Sequence, residues 1–436
     1  MKNTRCISLA CVFPCCRMEI TMKNKIIIFV FFLCIAASAA IIFAAPADRQ
    51  SVYEENRTPA ELMPVTRENL LTGKLMSNFE DYLGDNVGFR SVLTQASEWI
   101  ERKKGVESHQ GKIVATNKDI GTSLVQKSSL LVVNDTVMEM FIKNRGAEEK
   151  YINTINYFDD VFKDIKIYNM IIPTQLEFLE PVYSNIEDSQ KETINYIYSK
   201  LNKDIVSVNA YDFLKEHSDE YIYFRTDHHW TSLGAYYGYC AFLKAASGED
   251  NWKMSSYEEG SDPFTITDYE NIGRGGLKKH TVNNFLGYLY KQAQSPELSK
   301  NPDTIEWFDT NVDNKITIEN SGMDKGKKVE YSGVLFDTDK NNYEVFMSGD
   351  QPVSVLTNER NTNGKTIMIL KDSYANAFVP WLINNYHRIV LVDPRTCTDS
   401  LQMLAEKYKP EECLIMNYIF TTTFSDYAQM MADLVK

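Results

Sequence analysis

Two short runs of β-branched and apolar residues near the carboxyl end of the chain most constrain its fold. They are Thr366–Leu370 and Arg388–Val392, and a stretch of helical character around Tyr374–Asn385 separates them. A strand, a helix and a strand at that spacing are typical of a parallel pair, because a parallel return needs a long crossover. The same alternation begins near residue 111, with predicted strands at Lys166–Ile172 and Asp204–Val208 and predicted helices at Gln190–Leu201 and Ser232–Ala246. Residues 111–436 are therefore predicted to form an α/β domain, in which the polar stretch 295–345 forms insertions or short hairpins.

The amino-terminal region carries the signals for the compartment. Ile26–Ala45 is almost wholly apolar and uncharged, and a helix of that length spans roughly 30 Å, the thickness of bilayer hydrocarbon. Lys23 and Lys25 precede it, which predicts a cytoplasmic amino terminus and an extracytoplasmic main domain. The alternative is a cleaved signal peptide with a site at Ala37–Ala39, which would give a secreted protein. Residues 22–45 are thus an anchor or a signal peptide, and a start at Met22 would make residues 1–21 an over-long start.

Between this segment and the main domain, residues 46–110 are predicted to form a linker and a small helical module. Residues 46–66 contain three prolines and scattered charge, which is typical of an extended linker. Phe79, Tyr82 and Leu83 then recur at helical spacing. A second helix is predicted around Val92–Arg102.

Charge and cysteine content narrow the class of protein. The formal net charge is −13, which argues against nucleic acid as a partner because no basic stripe is available to release counterions. Of eight cysteines, only Cys240, Cys397 and Cys413 follow the apolar segment, too few for a disulfide framework. A neutral or sugar-like substrate fits this composition better.

Ser373 is the candidate nucleophile. It follows a predicted strand and precedes a predicted helix, at the carboxyl edge of the sheet where α/β proteins place their sites. The amino end of a helix also offers N–H groups to an oxyanion. The alternative is a helix cap, a common role of serine. The sequence lacks G-x-S-x-G around Ser373, so an ordinary α/β-hydrolase elbow is excluded.

The segment Thr226–Thr231 supplies a candidate acid and base. Asp227 and His229 are two residues apart, and in an extended segment such residues point to the same side. Asp227 could then hold the imidazole of His229 in the tautomer that accepts the proton of a serine. Two alternatives stay open: a metal site formed by Asp227, His228 and His229, and a helix cap beside a core histidine. Trp230 is interpreted as a packing residue or as a sugar-stacking one.

Three further residues are candidates for oxyanion or substrate contacts. Gly287 could bring a backbone N–H close to a ligand, with a plain turn as the alternative. Asn376 lies one turn after Ser373 and could donate to an oxyanion, although solvation or capping are also open to it. Arg395 follows a predicted strand and could reach the same sheet edge, where a surface charge is the alternative.

These motifs resemble the DHHW family, named for Asp227–Trp230. That family is similar to the periplasmic alginate O-acetyltransferase proteins, which carry an SGNH-hydrolase-like domain. The matching segments occur in the expected order from about residue 52 to the end, at Glu55–Arg57, Phe79–Arg90, Ile172–Thr174, Phe224–Thr231, Phe285–Tyr290, Leu370–Asn376 and Val392–Arg395.

The resemblance implies a three-layer α/β/α fold and a catalytic triad of Asp227, His229 and Ser373. In ordinary SGNH enzymes the serine comes first, so the order found here implies a circularly permuted version. It also implies acetyl transfer to or from a cell-surface polysaccharide, with a membrane-bound O-acyltransferase as a partner. No cofactor is predicted, and no metal, because no further His or Cys lies at a convincing ligand spacing. An esterase and a catalytically silent polysaccharide-binding protein remain alternatives.

Overall fold

The computed structural model describes residues 29–33, 36–37, 40, 44–47, 60–71, 74–89, 92, 112–119, 125–179, 187–247, 279–293, 295–310, 316–324 and 327–435. The chain divides into two compact units, Met1–Thr94 and Gln95–Lys436. Within the described ranges, no helix is both long enough and apolar enough to cross a membrane. Ile26–Ala45 and Val92–Arg102 lie largely outside these ranges, so the anchor and the second helix of the module stay predictions.

Among the residues that the structure describes, the first unit includes the helices α1 (Arg67–Leu71) and α2 (Lys74–Asp85). The helix predicted from Phe79, Tyr82 and Leu83 is confirmed, because all three lie in α2. The carboxylate at its end, Asp85, accepts a hydrogen bond from the backbone N–H of Ala60 at 2.9 Å. This bond joins the end of α2 to the preceding segment.

The second unit is a mixed α/β domain. Its strands are β1 (Lys112–Asp119), β2 (Val125–Val133), β3 (Thr136–Glu139), β4 (Lys166–Ile172), β5 (Val206–Val208), β6 (Lys279–Phe285), β7 (Asp303–Phe308), β8 (Ile316–Asp324), β9 (Lys327–Ser332), β10 (Val353–Asn358), β11 (Thr366–Lys371), β12 (Arg388–Val392) and β13 (Glu412–Tyr418). Its helices are α3 (Arg145–Val161), α4 (Gln190–Tyr198), α5 (Ala210–Glu216), α6 (Ser232–Ser247), α7 (Tyr288–Ala293), α8 (Ala375–Leu382), α9 (Leu401–Tyr408) and α10 (Ser425–Asp433). Short 3₁₀ turns occur at Gln175–Phe178, Leu298–Lys300, Tyr343–Val345 and Ile419–Thr423.

The main sheet has eight strands in the order β5-β4-β13-β11-β12-β10-β8-β9. The first five are parallel, and β10, β8 and β9 continue the sheet in antiparallel fashion. The predicted parallel pair is confirmed as β11 and β12, which are neighbours with α8 between them in the chain. The strand predicted at Lys166–Ile172 has the same bounds in the structure.

Helices cover both faces of this sheet, as two neighbouring residues of β4 demonstrate. Tyr168 packs edge-on against Phe242 of α6, with ring centroids 5.2 Å apart. Asn169 donates to the hydroxyl of Tyr151 in α3 at 2.9 Å. Because successive side chains of a strand point to opposite faces, α6 and α3 lie on opposite sides of the sheet. The core therefore occupies both spaces between sheet and helices.

Within the described part of the stretch 295–345, β8 and β9 form a hairpin, as predicted, but they also extend the main sheet. β8 pairs with β10, and β9 pairs with β8. The polar character of β8 conceals this role, since its buried Asn320 is satisfied by a hydrogen bond from Ser354 of β10 at 2.6 Å. Such a pairing between distant segments cannot be recognised from local periodicity.

Candidate active site

Ser373 lies at the turn between β11 and α8. It is the only residue of Lys371–Ile383 that is not buried. The preceding carboxylate shapes the turn: Asp372 accepts from the backbone N–H of Tyr374 at 3.0 Å and from that of Tyr418 at 2.8 Å. Burial raises the pKa of Asp372. The turn therefore presents one hydroxyl at the carboxyl edge of the sheet while its neighbours anchor the backbone.

The structure brings Ser373, His229 and Asp227 together across 144 residues of sequence. His229 Nε2 lies 2.6 Å from Ser373 Oγ, and His229 Nδ1 lies 2.6 Å from Asp227 Oδ1. His229 and Asp227 are each 6% exposed. These distances are those of strong hydrogen bonds between a nucleophile, its base and the acid that orients the base. Their catalytic role stays a prediction.

The local conformation differs from the extended segment that we expected. Residues 225–229 form a bend, and Asp227 Oδ1 also accepts from the backbone N–H of His229 at 3.0 Å. An aspartate side chain that binds the backbone two residues later closes a turn of this kind. The acid and the imidazole therefore meet through a turn, and the alternation argument was wrong.

The ring of His228 lies beside that of His229. The two ring centroids are 3.9 Å apart. His228 Nδ1 lies 3.7 Å from Asp227 Oδ1. The bend is the reason, because it places successive imidazoles side by side.

Asp227 is held as an anion. Its Oδ2 accepts from the backbone N–H of Tyr288 at 2.8 Å. Burial raises the pKa of Asp227, but the attraction of His229 and His228 and these hydrogen bonds outweigh burial and hold the pKa below its usual range. An ionised Asp227 accepts the Nδ1–H of neutral His229, which leaves Nε2 to take the proton of Ser373.

Tyr343 is a neighbour of the imidazole that the sequence did not indicate. Its ring stacks on His229 with centroids 3.7 Å apart and an angle of 7° between the planes. Tyr343 is 7% exposed and belongs to the 3₁₀ turn Tyr343–Val345. The stack fixes the plane of the imidazole, so Tyr343 acts on His229 through packing.

A cluster of charged side chains, with a buried lysine, lies beside the Ser373 turn and was also missed. Lys371, 1% exposed, donates to Asp350 at 2.5 Å and to the side-chain oxygen of Asn376 at 2.8 Å. Arg395 binds Asp350 and Asp393 at 2.5 Å each. Burial raises the pKa of Asp350, but Lys371 and Arg395 outweigh it and hold the pKa well below its usual range. The cluster therefore fixes the side chains of Lys371 and Asn376, which lie before and after Ser373 in the chain.

This cluster corrects two candidate roles. Asn376 donates its side-chain amide to Asp350 at 2.9 Å and is buried, so it faces the cluster and not an oxyanion. Arg395 does lie at the predicted sheet edge, but its guanidinium is committed to two carboxylates. Both side chains therefore belong to the charge cluster.

Gly287 and Trp230 have structural roles instead of the predicted contacts with a ligand. The N–H of Gly287 donates to the hydroxyl of Thr226 at 3.0 Å, so it is not available to an oxyanion. Trp230 has no exposed surface and donates its indole N–H to the carbonyl of Tyr374 at 3.0 Å. Its packing role is confirmed, and its sugar-stacking role was wrong because no ligand can reach the ring.

The metal alternative involves the same side chains. Asp227, His228 and His229 bring potential ligand atoms within 4.8 Å of one another. However, both nitrogens of His229 and both carboxylate oxygens of Asp227 already make hydrogen bonds. Metal binding would have to break these bonds, so the triad accounts for the arrangement better.

Comparison with known proteins agrees with this fold. A DHHW family protein from Eubacterium siraeum is 24% identical, with 73% of this chain and 98% of that one covered and a TM-score of 0.57. PatB1 from Bacillus cereus with a sulfonyl adduct is 17% identical, with coverages of 71% and 99% and a TM-score of 0.55. A second structure of PatB1 from Bacillus cereus is 18% identical, with 69% of this chain and 99% of that one covered and a TM-score of 0.54.

A comparison with curated proteins finds no match. The family model described as DHHW protein matches residues 101–274 and 269–392, which include the whole Asp227–Trp230 motif and Ser373. These two ranges together span more than half of the chain. The chain therefore belongs to the DHHW protein family.

Proposed function

We propose that this protein is a serine-dependent acyltransferase that moves acetyl groups to a cell-surface polysaccharide outside the cytoplasm. The observation that carries the proposal is the continuous hydrogen-bonded series from Asp227 through His229 to Ser373. The charged state of Asp227 and the exposure of Ser373 alone among its neighbours support it. A cap or a core histidine would not require all three features at once.

The reaction follows from these positions. Ser373 Oγ attacks the carbonyl carbon of an acetyl ester while its proton passes to His229 Nε2. The bond to the leaving alcohol breaks as His229 returns the proton to it, which leaves acetylated Ser373. A sugar hydroxyl then gives its proton to His229 and takes the acetyl group, and His229 returns the proton to Ser373 Oγ as the bond between Oγ and the acetyl carbon breaks. Asp227 stabilises the imidazolium in both halves, and α8, which begins two residues after Ser373, directs its positive dipole end toward the developing negative charge.

The fold assignment is part of the same proposal. A parallel sheet with helices on both faces and a serine after a central strand is compatible with an SGNH-hydrolase-like three-layer domain. The chain order Asp227, His229, Ser373 supports a circularly permuted version of it. The apolar segment Ile26–Ala45 supports an extracytoplasmic site near a membrane-bound acyl-delivering partner.

Turnover of p-nitrophenyl acetate by the purified full chain tests the chemistry. Ser373→Ala should abolish the activity. The matched control is Ser400→Ala, because Ser400 also precedes a helix but makes no side-chain capping bond. Equal activity in wild type and Ser373→Ala would contradict the proposal, and stoichiometric zinc in the same preparation would favour the metal site.

The acetyl content of the surface polysaccharide distinguishes transfer from hydrolysis. With water in place of the sugar hydroxyl, the same triad is an esterase. We expect Ser373→Ala cells to contain less polysaccharide acetyl than wild-type cells. An increase would identify an esterase, and no change with the variant present at the surface would favour a silent binding protein.

A further inference from the structure

Asp303, the first residue of β7, carries a carboxylate with no exposed surface. Its hydrogen-bond donors come from one short segment that ends at the catalytic motif. The backbone N–H of Arg225 donates at 3.0 Å and that of Thr226 at 2.8 Å. The hydroxyls of Thr226 and Tyr221 donate to it as well. A buried carboxylate with so many donors from one segment fixes the backbone of that segment.

Thr226 passes this constraint on to the residues that support Asp227. While its hydroxyl donates to Asp303, the same oxygen accepts from the N–H of Gly287 at 3.0 Å. The carbonyl of Thr226 accepts from the N–H of Tyr290 at 2.9 Å. The start of α7 is thereby tied to the motif, and the N–H of Tyr288 reaches Asp227 Oδ2. The donor to one oxygen of Asp227 therefore depends on Thr226.

Charge favours the same arrangement. Arg225 Nε lies 3.5 Å from Asp303 Oδ1, and its guanidinium lies over the ring of Tyr221, 5.3 Å from the centroid. Arg225 also donates to the carbonyl of Pro302 at 3.0 Å. The guanidinium of Arg225, next to the motif, thus holds the start of β7 against the motif.

We propose that Asp303 is a positioning residue for the triad: its carboxylate fixes Thr226 and, through Thr226, the distance between Asp227 and His229. This inference rests on the proposed function for its kinetic consequences, but its geometric consequence is independent of any activity. A residue that only stabilised β7 would lower the melting temperature and leave the kcat of the folded enzyme unchanged. A positioning residue lowers kcat at temperatures where the protein is folded.

Asp303→Asn tests the proposal, because it keeps the size of the side chain and places an amide donor among donors. The crystal structure of the variant should have Asp227 and His229 farther apart than the 2.6 Å of the wild type. With p-nitrophenyl acetate, kcat should fall about 10²-fold, as expected for a misplacement of about 1 Å, with a smaller change in KM. The matched control is Asp309→Asn, which makes the same change just beyond β7, where Asp309 binds His280 and not the motif. It should keep wild-type kcat and geometry.

Variants of Thr226 also test whether Asp303 positions the triad through Thr226. Thr226→Ser keeps the hydroxyl and should keep kcat, whereas Thr226→Val should lose it as Asp303→Asn does. The Thr226→Val/Asp303→Asn double variant should lose little more than either single variant, because both disturb the same contact between Thr226 and Asp303. Unchanged kcat and unchanged geometry in Asp303→Asn, or strictly additive losses, would overturn the proposal. Inactive wild-type protein would instead overturn the proposed function, and the variant structure would still decide whether Asp303 positions Asp227.

Discussion

Replacement of Gly287 by alanine perturbs the triad without removing any of its functional groups. A Cβ at this position would lie 2.3 Å from Asp227 Cβ, 2.5 Å from Asp227 Oδ2 and 2.7 Å from the carbonyl oxygen of Thr226. Ordinary van der Waals contact begins at 3.4 Å. Asp227 or the Gly287 backbone must therefore move by about 1 Å, and the bonds of Asp227 to His229 and Tyr288 lengthen.

A displacement of about 1 Å in a catalytic group costs on the order of 10²-fold in rate, which corresponds to about 2.7 kcal/mol in the activation free energy. We expect Gly287→Ala to lower kcat for p-nitrophenyl acetate by that factor with little change in KM. Gly146→Ala is the control, because its Cβ would meet only Asn144 Oδ1 at 3.7 Å. Wild-type kcat in folded Gly287→Ala, or an equal loss in Gly146→Ala, would refute this reasoning.

Three further predictions concern the base, a buried acid and the charge cluster. His229→Ala should lower ester turnover by about 10³-fold or more, and His228→Ala should lower it much less, because only His229 bonds to the serine; reversed losses would mean that the wrong imidazole was assigned. Burial raises the pKa of Glu187 to about 8, from 4.5 when unfolded, so the folded state binds the extra proton and the free energy of unfolding should fall as the pH rises between these values. Denaturation at several pH values should reveal a flatter dependence in Glu187→Gln, and an unchanged slope would contradict the assignment. Lys371→Met should lower the free energy of unfolding by about 1.5–3 kcal/mol because Asp350 and Asn376 lose the hydrogen bonds from the buried ammonium group; added Asp350→Asn should recover part of the loss, and full stability of Lys371→Met in urea denaturation would contradict it.

The sequence was sufficient for the parts of the fold that depend on local pattern. Thr366–Leu370 and Arg388–Val392 are apolar and β-branched, and the helix between them requires a parallel return, which the structure contains. The position of Ser373 at a strand end followed from the same pattern. Such segments are predictable because one face of each element must be apolar along its whole length.

The residues that support the site were not predictable in this way. Asp303 contacts Thr226 across 77 residues, and Lys371 contacts Asp350 across 21. Nothing local distinguishes a carboxylate that will be buried against distant donors from one on the surface. The bend at the motif was missed for a related reason: the side chain of Asp227 competes with the backbone for hydrogen bonds and turns the chain.

Mass spectrometry of the acetylated enzyme tests the central claim most directly. The full chain would be mixed with excess p-nitrophenyl acetate, quenched in acid at short times and digested. We predict that the peptide containing Ser373 gains the mass of one acetyl group, that Ser373→Ala protein does not, and that His229→Ala gains it far more slowly. An acetyl group that is absent from Ser373 during active turnover, or attached to it equally fast without His229, would contradict the account.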